Sequence, residues 1–294
     1  MILLFGAGGQ FGQEFLSLTR QRGVPVFGPA RAEADICDPE AVARAIAAAA
    51  PAVIVNAAAY TDVDKAESEP NAAMRANAEG PAVLAAAAAR AGMPLVHIST
   101  DYVFDGSKAG AYCEDDPVAP LGAYGRSKAA GEAAIRATHG RHVILRTSWL
   151  YGAYGRNFLK TVLRLAGERD ELRIVNDQHG SPTAAADLAE AVLAVCSRLA
   201  GGAEPWGTFH VTGAGATTWH GLAARIVACQ AVFTGRRPVV TPIATVDYPT
   251  PARRPANSVL DGTRFAQSFG FRARQWEDAV ECVVRQLLAP ARQA

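Results

Sequence analysis

Ile2-Leu3-Leu4-Phe5-Gly6-Ala7-Gly8-Gly9-Gln10-Phe11-Gly12 reads as a strand running through a glycine turn into a helix. A four-residue apolar run stops at a glycine, and two further glycines follow at three-residue spacing. A helix-favouring stretch, residues 13–22, begins at once. Gly6, Gly9 and Gly12 read as G-x-x-G-x-x-G. Such a turn bends tightly, brings bare backbone close to a pyrophosphate, and lets the helix pack against the strand. The free N–H groups and positive dipole end of that helix would face the phosphates, beside Gln10 and Phe11. The alternative is a tight strand–helix turn with no ligand. The position, straight after a strand and straight before a helix, favours the phosphate cradle.

Further along the chain, short apolar runs recur at 24–27, 52–56, 95–99 and 142–146. Alanine-rich, helix-favouring stretches separate them at 40–49, 71–91 and 127–139. Unbroken apolar strands spaced by helices indicate a parallel sheet covered on both faces, a doubly wound α/β fold. The alanine runs fall where crossover helices are due, and alanine is the strongest helix former. After about Ser148 the texture changes. Helices are expected at 157–166, 184–199, 219–233 and 275–288, with strands near 172–175 and 207–211. A Pro/Arg-rich loop, Tyr248-Pro249-Thr250-Pro251-Ala252-Arg253-Arg254-Pro255, can be neither regular helix nor central strand. The expected division is a dinucleotide-binding domain over 1–150 and a smaller, mainly substrate-binding domain over 151–294. Strands near 171–180 and 207–213 are expected to return to the first domain.

Composition narrows the functional classes. The 294 residues are 50% hydrophobic and 19% charged, which excludes disorder as the main state. The formal net charge of +1 argues against a nucleic-acid or anionic-membrane coat. The most apolar stretch, 45–60, is broken by Pro51 and Asn56, so no membrane span is expected. The N-terminus lacks a basic region and a cleavage site, so no signal peptide is expected. Five scattered cysteines with no Cys-x-x-Cys fit a reducing, cytoplasmic setting.

A plain dinucleotide site places an acid about 20 residues beyond the glycine turn, to hold the ribose 2′-hydroxyl. Here the second strand ends Val26-Phe27-Gly28-Pro29-Ala30-Arg31. Arg31 leans towards a 2′-phosphate and NADPH, with NADH still open; a solvated loop arginine is the other reading. Asp35 could receive the adenine amine, or could serve with Asp38 to cap the next helix.

Three segments converge on chemistry. Ser99-Thr100-Asp101 closes the fourth strand, Tyr124-Gly125-Arg126-Ser127-Lys128 opens a helix, and Arg146-Thr147-Ser148-Trp149 closes the fifth strand. Ligands of open parallel sheets bind off the carboxyl ends of strands. Tyr124 and Lys128 share a helix face. A lysine ammonium beside the phenol is expected to lower its pKa, making Tyr124 a proton donor or acceptor near neutral pH. Thr100 can hydrogen-bond the same substrate oxygen. Tyr-x-x-x-Lys alone is weak; joined to the glycine turn and the upstream Thr100 it is strong.

These residues are the signature that the extended short-chain dehydrogenase/reductases carry, and the chain resembles that superfamily. Further stretches bring it close to one family. These are Asn56-Ala57-Ala58-Ala59-Tyr60-Thr61-Asp62-Val63-Asp64-Lys65-Ala66-Glu67, Ser99-Thr100-Asp101-Tyr102-Val103-Phe104-Asp105-Gly106, Arg146-Thr147-Ser148-Trp149-Leu150-Tyr151, Asn176-Asp177-Gln178-His179-Gly180-Ser181-Pro182-Thr183 and the Pro/Arg-rich loop. Together they resemble the dTDP-4-dehydrorhamnose reductase family from the first strand to about residue 260. The resemblance implies a Rossmann fold of the extended type and reduction of a 4-keto nucleotide sugar, dTDP-4-dehydro-L-rhamnose, to dTDP-L-rhamnose. It places Gly9, Gln10 and Phe11 on the pyrophosphate, and Asp35 and Ile36 on adenine. Ala59, Tyr60 and Thr61 would line the path from ribose to nicotinamide. Thr100 and Asp101 would approach the sugar, Tyr124 would give the proton, and Lys128 would hold the nicotinamide ribose. Trp149 would pack on the deoxysugar; a core tryptophan is the other reading. The dTDP pyrophosphate needs cations, for which Arg253, Arg254 and Lys160, on the helix after Asn157, are candidates.

The chain departs from the family in one respect. Members that link subunits as a homodimer through a metal hold it with glutamates. Glu14 matches one such position, but Ala186, followed by Asp187, stands at the other, so no metal is expected. Two rivals remain. A nucleotide-sugar epimerase or dehydratase is one, although a dehydratase resembles Thr-Asp-Glu where this chain has Tyr102. A non-catalytic NADP-binding regulatory subunit is the other, and the intact Thr100, Tyr124 and Lys128 weigh against it.

Overall fold

The computed structural model describes residues 1–289. Residues 290–294, the end of the expected substrate region, lie outside the described residues. Five strands and six helices form the first half: β1 (Ile2–Phe5), α1 (Gln10–Gln21), β2 (Val26–Phe27), α2 (Pro39–Ala49), β3 (Val53–Asn56), α3 (Lys65–Ser68), α4 (Pro70–Met74), α5 (Gly80–Ala91), β4 (Leu95–Thr100), α6 (Ala123–Thr138) and β5 (His142–Thr147). β6 (Leu150–Tyr151), α7 (Phe158–Glu168), β7 (Glu171–Val175), β8 (His179–Gly180), β9 (Thr183–Ala184), α8 (Ala185–Ala200) and β10 (Gly207–His210) follow. β11 (Thr217–Thr218), α9 (Trp219–Thr234), β12 (Val239–Ile243), α10 (Thr263–Phe269) and α11 (Trp276–Leu288) complete the described chain.

The main sheet has six strands in the order β10-β5-β4-β3-β1-β2, all parallel. β1 and β3 are buried throughout, as their unbroken apolar sequences require of strands covered on both faces. α1 and α8 cover one face, where Phe11, Phe15, Leu188, Val192 and Val195 pack on the sheet. α2, α5 and α6 cover the other through Val42, Ala45, Leu84, Ala88 and Ile135. The chain leaves β1 for β2 on one side and returns to β3 on the other, so the crevice beyond β1 and β3 is a topological switch point.

A separate core gathers α7, α9 and α11 around the pair β7–β12, with Leu159, Val162, Leu222, Ile226, Trp276 and Val280 inside. This corrects one expectation. Gly207–His210 lies in the main sheet beside β5, but Glu171–Val175 does not. It pairs in parallel with Val239–Ile243, on the far side of the cleft. Its charged Glu171 and Arg173 are exposed, which a strand covered on both faces would not tolerate.

Two local features position the site. Within the expected 71–91 helix, Arg75–Glu79 forms a π turn between α4 and α5. It delivers the buried Asn77 side chain to the 57–61 loop: Oδ1 accepts the Tyr60 N–H at 2.8 Å, and Nδ2 donates to the Tyr60 carbonyl at 2.9 Å. Behind α6, Glu132 and Arg146 form a fully buried bidentate pair at 2.9 and 2.7 Å. Ser99 donates to the same carboxylate at 2.6 Å and Arg136 at 3.1 Å. Burial pushes the Glu132 carboxyl up, but Arg146, Ser99 and Arg136 outweigh it and hold it below the usual range. The cluster locks α6 to the ends of β4 and β5. Among the described residues no helix is long and apolar enough to cross a membrane.

Candidate active site

A cleft of about 560 Å³ opens where the carboxyl ends of the main sheet meet the α7–α9 core. Gly9, Gln10, Phe11, Gly12, Ala59, Thr61, Thr100, Asp101, Tyr124, Lys128, Trp149 and Arg254 all line it. Residues far apart in sequence thus converge on one cleft.

The glycine turn is built as the sequence implies. Gly6 has φ +85° and lies so close to β3 that a Cβ there would sit 2.5 Å from the Ala57 and Ala58 backbone. A Cβ on Gly12 would meet the Gly6 carbonyl at 2.3 Å, so only glycine lets α1 approach the turn. Gly9 precedes α1 with no side-chain cap, and the first turn carries no acid. The free N–H groups therefore face the cleft uncompensated, and this cradle suits an anion such as a pyrophosphate. Thr147 adds an independent sign. Its hydroxyl is buried and unpartnered, and it lines the same cleft. Across the strands it stands opposite Thr100.

The chemical groups sit at the inner end. Tyr124 occupies the first turn of α6, with Tyr102 edge-on at 6.0 Å between ring centres. Burial pushes the Tyr124 phenol up to about 12; Asp101 adds to this, and the Thr100 hydroxyl pulls the other way. The expectation that Lys128 lowers this phenol is therefore corrected. The lysine Nζ turns to the Ile98 carbonyl at 2.7 Å and His97 Nε2 at 3.4 Å. Burial in turn brings Lys128 down to about 8, partly offset by Glu132. Thr100 Oγ donates to Asp101 Oδ1 and Ser148 Oγ to Oδ2, both at 3.0 Å. Burial raises Asp101 to about 6 against the hydrogen bonds of Ser258, Ser148 and Thr100.

The facing wall is aromatic and cationic. Trp149 has φ +47°, a strained value for a tryptophan, and stacks on Trp219 with ring centres 3.6 Å apart. Phe158 tilts against Trp219 at 4.7 Å. Arg156 and Arg254 line the opening, and Arg254 is anchored to Asp64 at 2.8 Å. A second cavity of about 390 Å³ shares Phe158, Trp219 and Arg254 with the cleft and adds Arg169, Arg173 and Tyr248.

Several expected residues do not line the cleft. Asn157 caps α7 and reaches Gln10 Oε1 with its amide at 2.8 Å, bracing the glycine turn. Lys160 donates to the Ala153 carbonyl at 3.2 Å. Arg253 lies behind Tyr102, in a crevice shared with Gly122 and Pro255. The Tyr60 hydroxyl is turned to Glu69 at 2.9 Å. Ile36 is buried in the core on the helix side, Arg31 is 83% exposed and 3.5 Å from Asp35, and Asp35 accepts the Cys37 N–H. Asp38 is the residue that caps α2. Arg156, Trp219 and Asn77 were not expected from the sequence, and Thr147 was expected only as part of the segment closing the fifth strand. Arg156 sits four residues before Lys160, in the loop entering the same helix; Trp219 and Asn77 carry no local pattern that marks them. Among the described residues no group of three or more potential metal ligands clusters. Asp187, next to the departed family position, is bound by Arg274 at 2.6 Å.

Comparisons with known proteins bear on the whole chain. Residues 1–289 match the family model for the RmlD substrate binding domain. The dTDP-4-dehydrorhamnose reductase of Burkholderia thailandensis is 47% identical over 98% of this chain and 99% of its own length. That of Sinorhizobium fredii is 44% identical over 97% of this chain and 98% of its own length. Two solved structures superpose with TM-scores of 0.90. One is a dTDP-4-dehydrorhamnose reductase of Clostridium acetobutylicum, 39% identical over 97% of this chain and 99% of that one. The other is that of Bacillus anthracis in complex with NADP, 33% identical over 97% and 98%.

Proposed function

The chain belongs to the RmlD substrate binding domain family, and we propose from that premise that it reduces dTDP-4-dehydro-L-rhamnose to dTDP-L-rhamnose with NADPH. The observation that carries this reading is one cleft holding both an uncapped helix end over a glycine cradle and the Thr100, Tyr124, Lys128 group. The glycine turn, the free N–H groups of α1 and the unpartnered Thr147 hydroxyl fit a bound dinucleotide. When bound, that cofactor supplies the hydride.

The chain's own residues do the rest. Tyr124 gives its phenolic proton to the sugar oxygen as it gains charge. A phenol held near 12 by burial stays protonated at working pH, the form a donor needs in the reducing direction. Thr100, whose hydroxyl donates to Asp101 and accepts the Tyr102 N–H, lines the inner end of the cleft with Tyr124 and would orient the reacting oxygen by turning its proton from Asp101 to it. Lys128, one turn along α6 from Tyr124, lines the inner end of the cleft, with its Nζ held by the Ile98 carbonyl. The Trp149–Trp219 stack and Phe158 shut water from one face of the sugar. Arg156 and Arg254 take the diphosphate charge, in place of the expected Lys160 and Arg253. The adjoining cavity, with Tyr248, Arg169 and Arg173, receives the nucleoside end.

The test is the oxidation rate of NADPH, then NADH, by purified protein given dTDP-4-dehydro-L-rhamnose, with the product identified by chromatography. Appearance of dTDP-L-rhamnose is the expected result. Saturable NADPH binding with no turnover would replace the reading with another nucleotide sugar or a regulatory role.

A further inference from the structure

Behind Lys128 runs a buried polar chain that the reduction does not consume. Asn56 at the end of β3, His97 in β4 and Lys128 on α6 are 1%, 0% and 2% exposed. The orientation of the Asn56 amide is fixed, because its Oδ1 accepts the Ala58 N–H at 3.0 Å. Its Nδ2 therefore points at His97 Nδ1, 3.0 Å away, and donates to it. Burial, with Lys128 nearby, keeps this imidazole neutral far below its ordinary range. A neutral ring that accepts at Nδ1 carries its proton on Nε2. That Nε2–H lies 3.4 Å from Lys128 Nζ.

The lysine thus meets an N–H where a lone pair would suit an ammonium. A neutral amine satisfies both neighbours, donating to the Ile98 carbonyl at 2.7 Å and accepting from His97. An ammonium satisfies only Ile98 and opposes the imidazole N–H. The charged groups around Lys128 are few. Glu132, one turn along α6, favours the ammonium, but Arg146, Arg136 and Ser99 already hold its carboxylate. Tyr124 and Asp101 stand on the cleft side.

We propose that Asn56 and His97 are positioning residues: by fixing the Nε2–H tautomer against Lys128, they make the neutral amine an accessible state of that lysine and set the pH above which turnover falls. The consequence for turnover rests on the reductase reading; the tautomer and the lysine titration do not.

The experiment follows both side chains in protein free of cofactor and substrate, by NMR with 15N-labelled histidine and lysine. His97 is identified by the signal lost in His97→Gln, and Lys128 by that lost in Lys128→Met. The expected result is a His97 protonated at Nε2 and bare at Nδ1 from pH 6 to 9. Asn56→Asp keeps the Ala58 bond but must accept from Nδ1–H, which turns a bare Nε2 towards the lysine. Lys128 should then titrate about one pH unit or more higher, and the alkaline limb of kcat should move with it while the KM for NADPH holds. His97→Gln, whose amide oxygen can face Nζ, should shift both in the same direction. A wild-type His97 protonated at Nδ1, or an inverted tautomer in Asn56→Asp with an unmoved Lys128 titration, overturns the proposal. A wild-type protein that makes no dTDP-L-rhamnose overturns the reductase reading instead, and the lysine titration still decides the tautomer's effect.

Discussion

The two walls of the cleft are made by opposite means. On the sheet side, Thr100, Tyr124 and Lys128 sit in strand ends and one helix, pinned from behind by the buried Glu132–Arg146 cluster. On the facing side, Trp149, Trp219, Phe158, Arg156 and Arg254 come from loops and helix starts, held by stacking and, at Arg254, by a partly exposed ion pair with Asp64. Proton transfer tolerates little displacement, and on the proposed reading its groups sit where the fold is least able to move. Recognition of a long ligand asks for contact area and charge instead, which loops can supply. Substitutions on the first wall should therefore act on kcat or on folding, and substitutions on the second on KM.

The largest effect is expected at Tyr124. Tyr124→Phe keeps the ring against Tyr102 and removes the proton, so kcat should fall by about 10²–10⁴-fold. NADPH affinity, measured by fluorescence titration, should stay at the wild-type value. Near-normal turnover would remove Tyr124 as the donor and with it the distinction between the walls.

Next comes the support behind it. Arg146→Met leaves the Glu132 carboxylate buried without its main partner, which costs about 3–5 kcal/mol. Denaturant unfolding reads this directly, and Glu132→Leu added to Arg146→Met should recover most of it. The pH dependence has a definite sign. The folded-state pKa of Glu132 is depressed, so its contribution is present above the unfolded carboxylate value of about 4.3 and is lost as pH falls through the lower folded value. Wild-type stability should drop on acidification more steeply than that of the double variant. Equal slopes would mean that the ion pair is not what fixes this wall.

The sheet-side wall was also the one legible in the sequence. Its strands are unbroken apolar runs, its turn is a glycine spacing, and Tyr124 and Lys128 are neighbours on one helix turn. Each signal is local. The facing wall depends on contacts between segments dozens of residues apart, such as Trp149 on Trp219. β7 could have been read correctly: a charged residue at every second position of Glu171-Leu172-Arg173 marks a half-exposed strand, not one buried in a doubly covered sheet. Its partner β12 carries Pro242, which argues against a strand in a sequence reading, so its pairing was hidden. The tuning of the chemical groups was hidden as well. Tyr-x-x-x-Lys says that two side chains are near, but not that burial sets the phenol, nor that His97 stands behind the lysine.

On the facing wall, Arg254→Ala should raise the KM for the dTDP-sugar about 10–100-fold with little change in kcat. A hydrogen-bonded charge contributes about 1.5–3 kcal/mol, and binding lost equally from ground and transition states leaves kcat alone. Steady-state kinetics at saturating NADPH reads both parameters. A fall in kcat instead would show that this wall also aligns the reacting carbon, and would blur the contrast.

The smallest effect belongs to a residue that lies on neither wall. Arg31 is almost wholly exposed, with Asp35 at 3.5 Å. An exposed pair of this kind is weak and screened by salt. A 2′-phosphate would give the guanidinium a doubly charged partner, which NADH does not offer. Arg31→Ala should therefore raise the KM for NADPH by about two- to fivefold at low ionic strength, leave NADH unaffected, and lose most of its effect in high salt. The comparison separates shape from charge in cofactor binding. On the proposed reading the glycine cradle would hold any dinucleotide pyrophosphate through backbone that no side-chain substitution at position 31 can reach, so whatever discriminates the two cofactors would lie at the ribose end. Equal losses with both cofactors would return Arg31 to a solvated loop and move that discrimination to other residues near the end of β2.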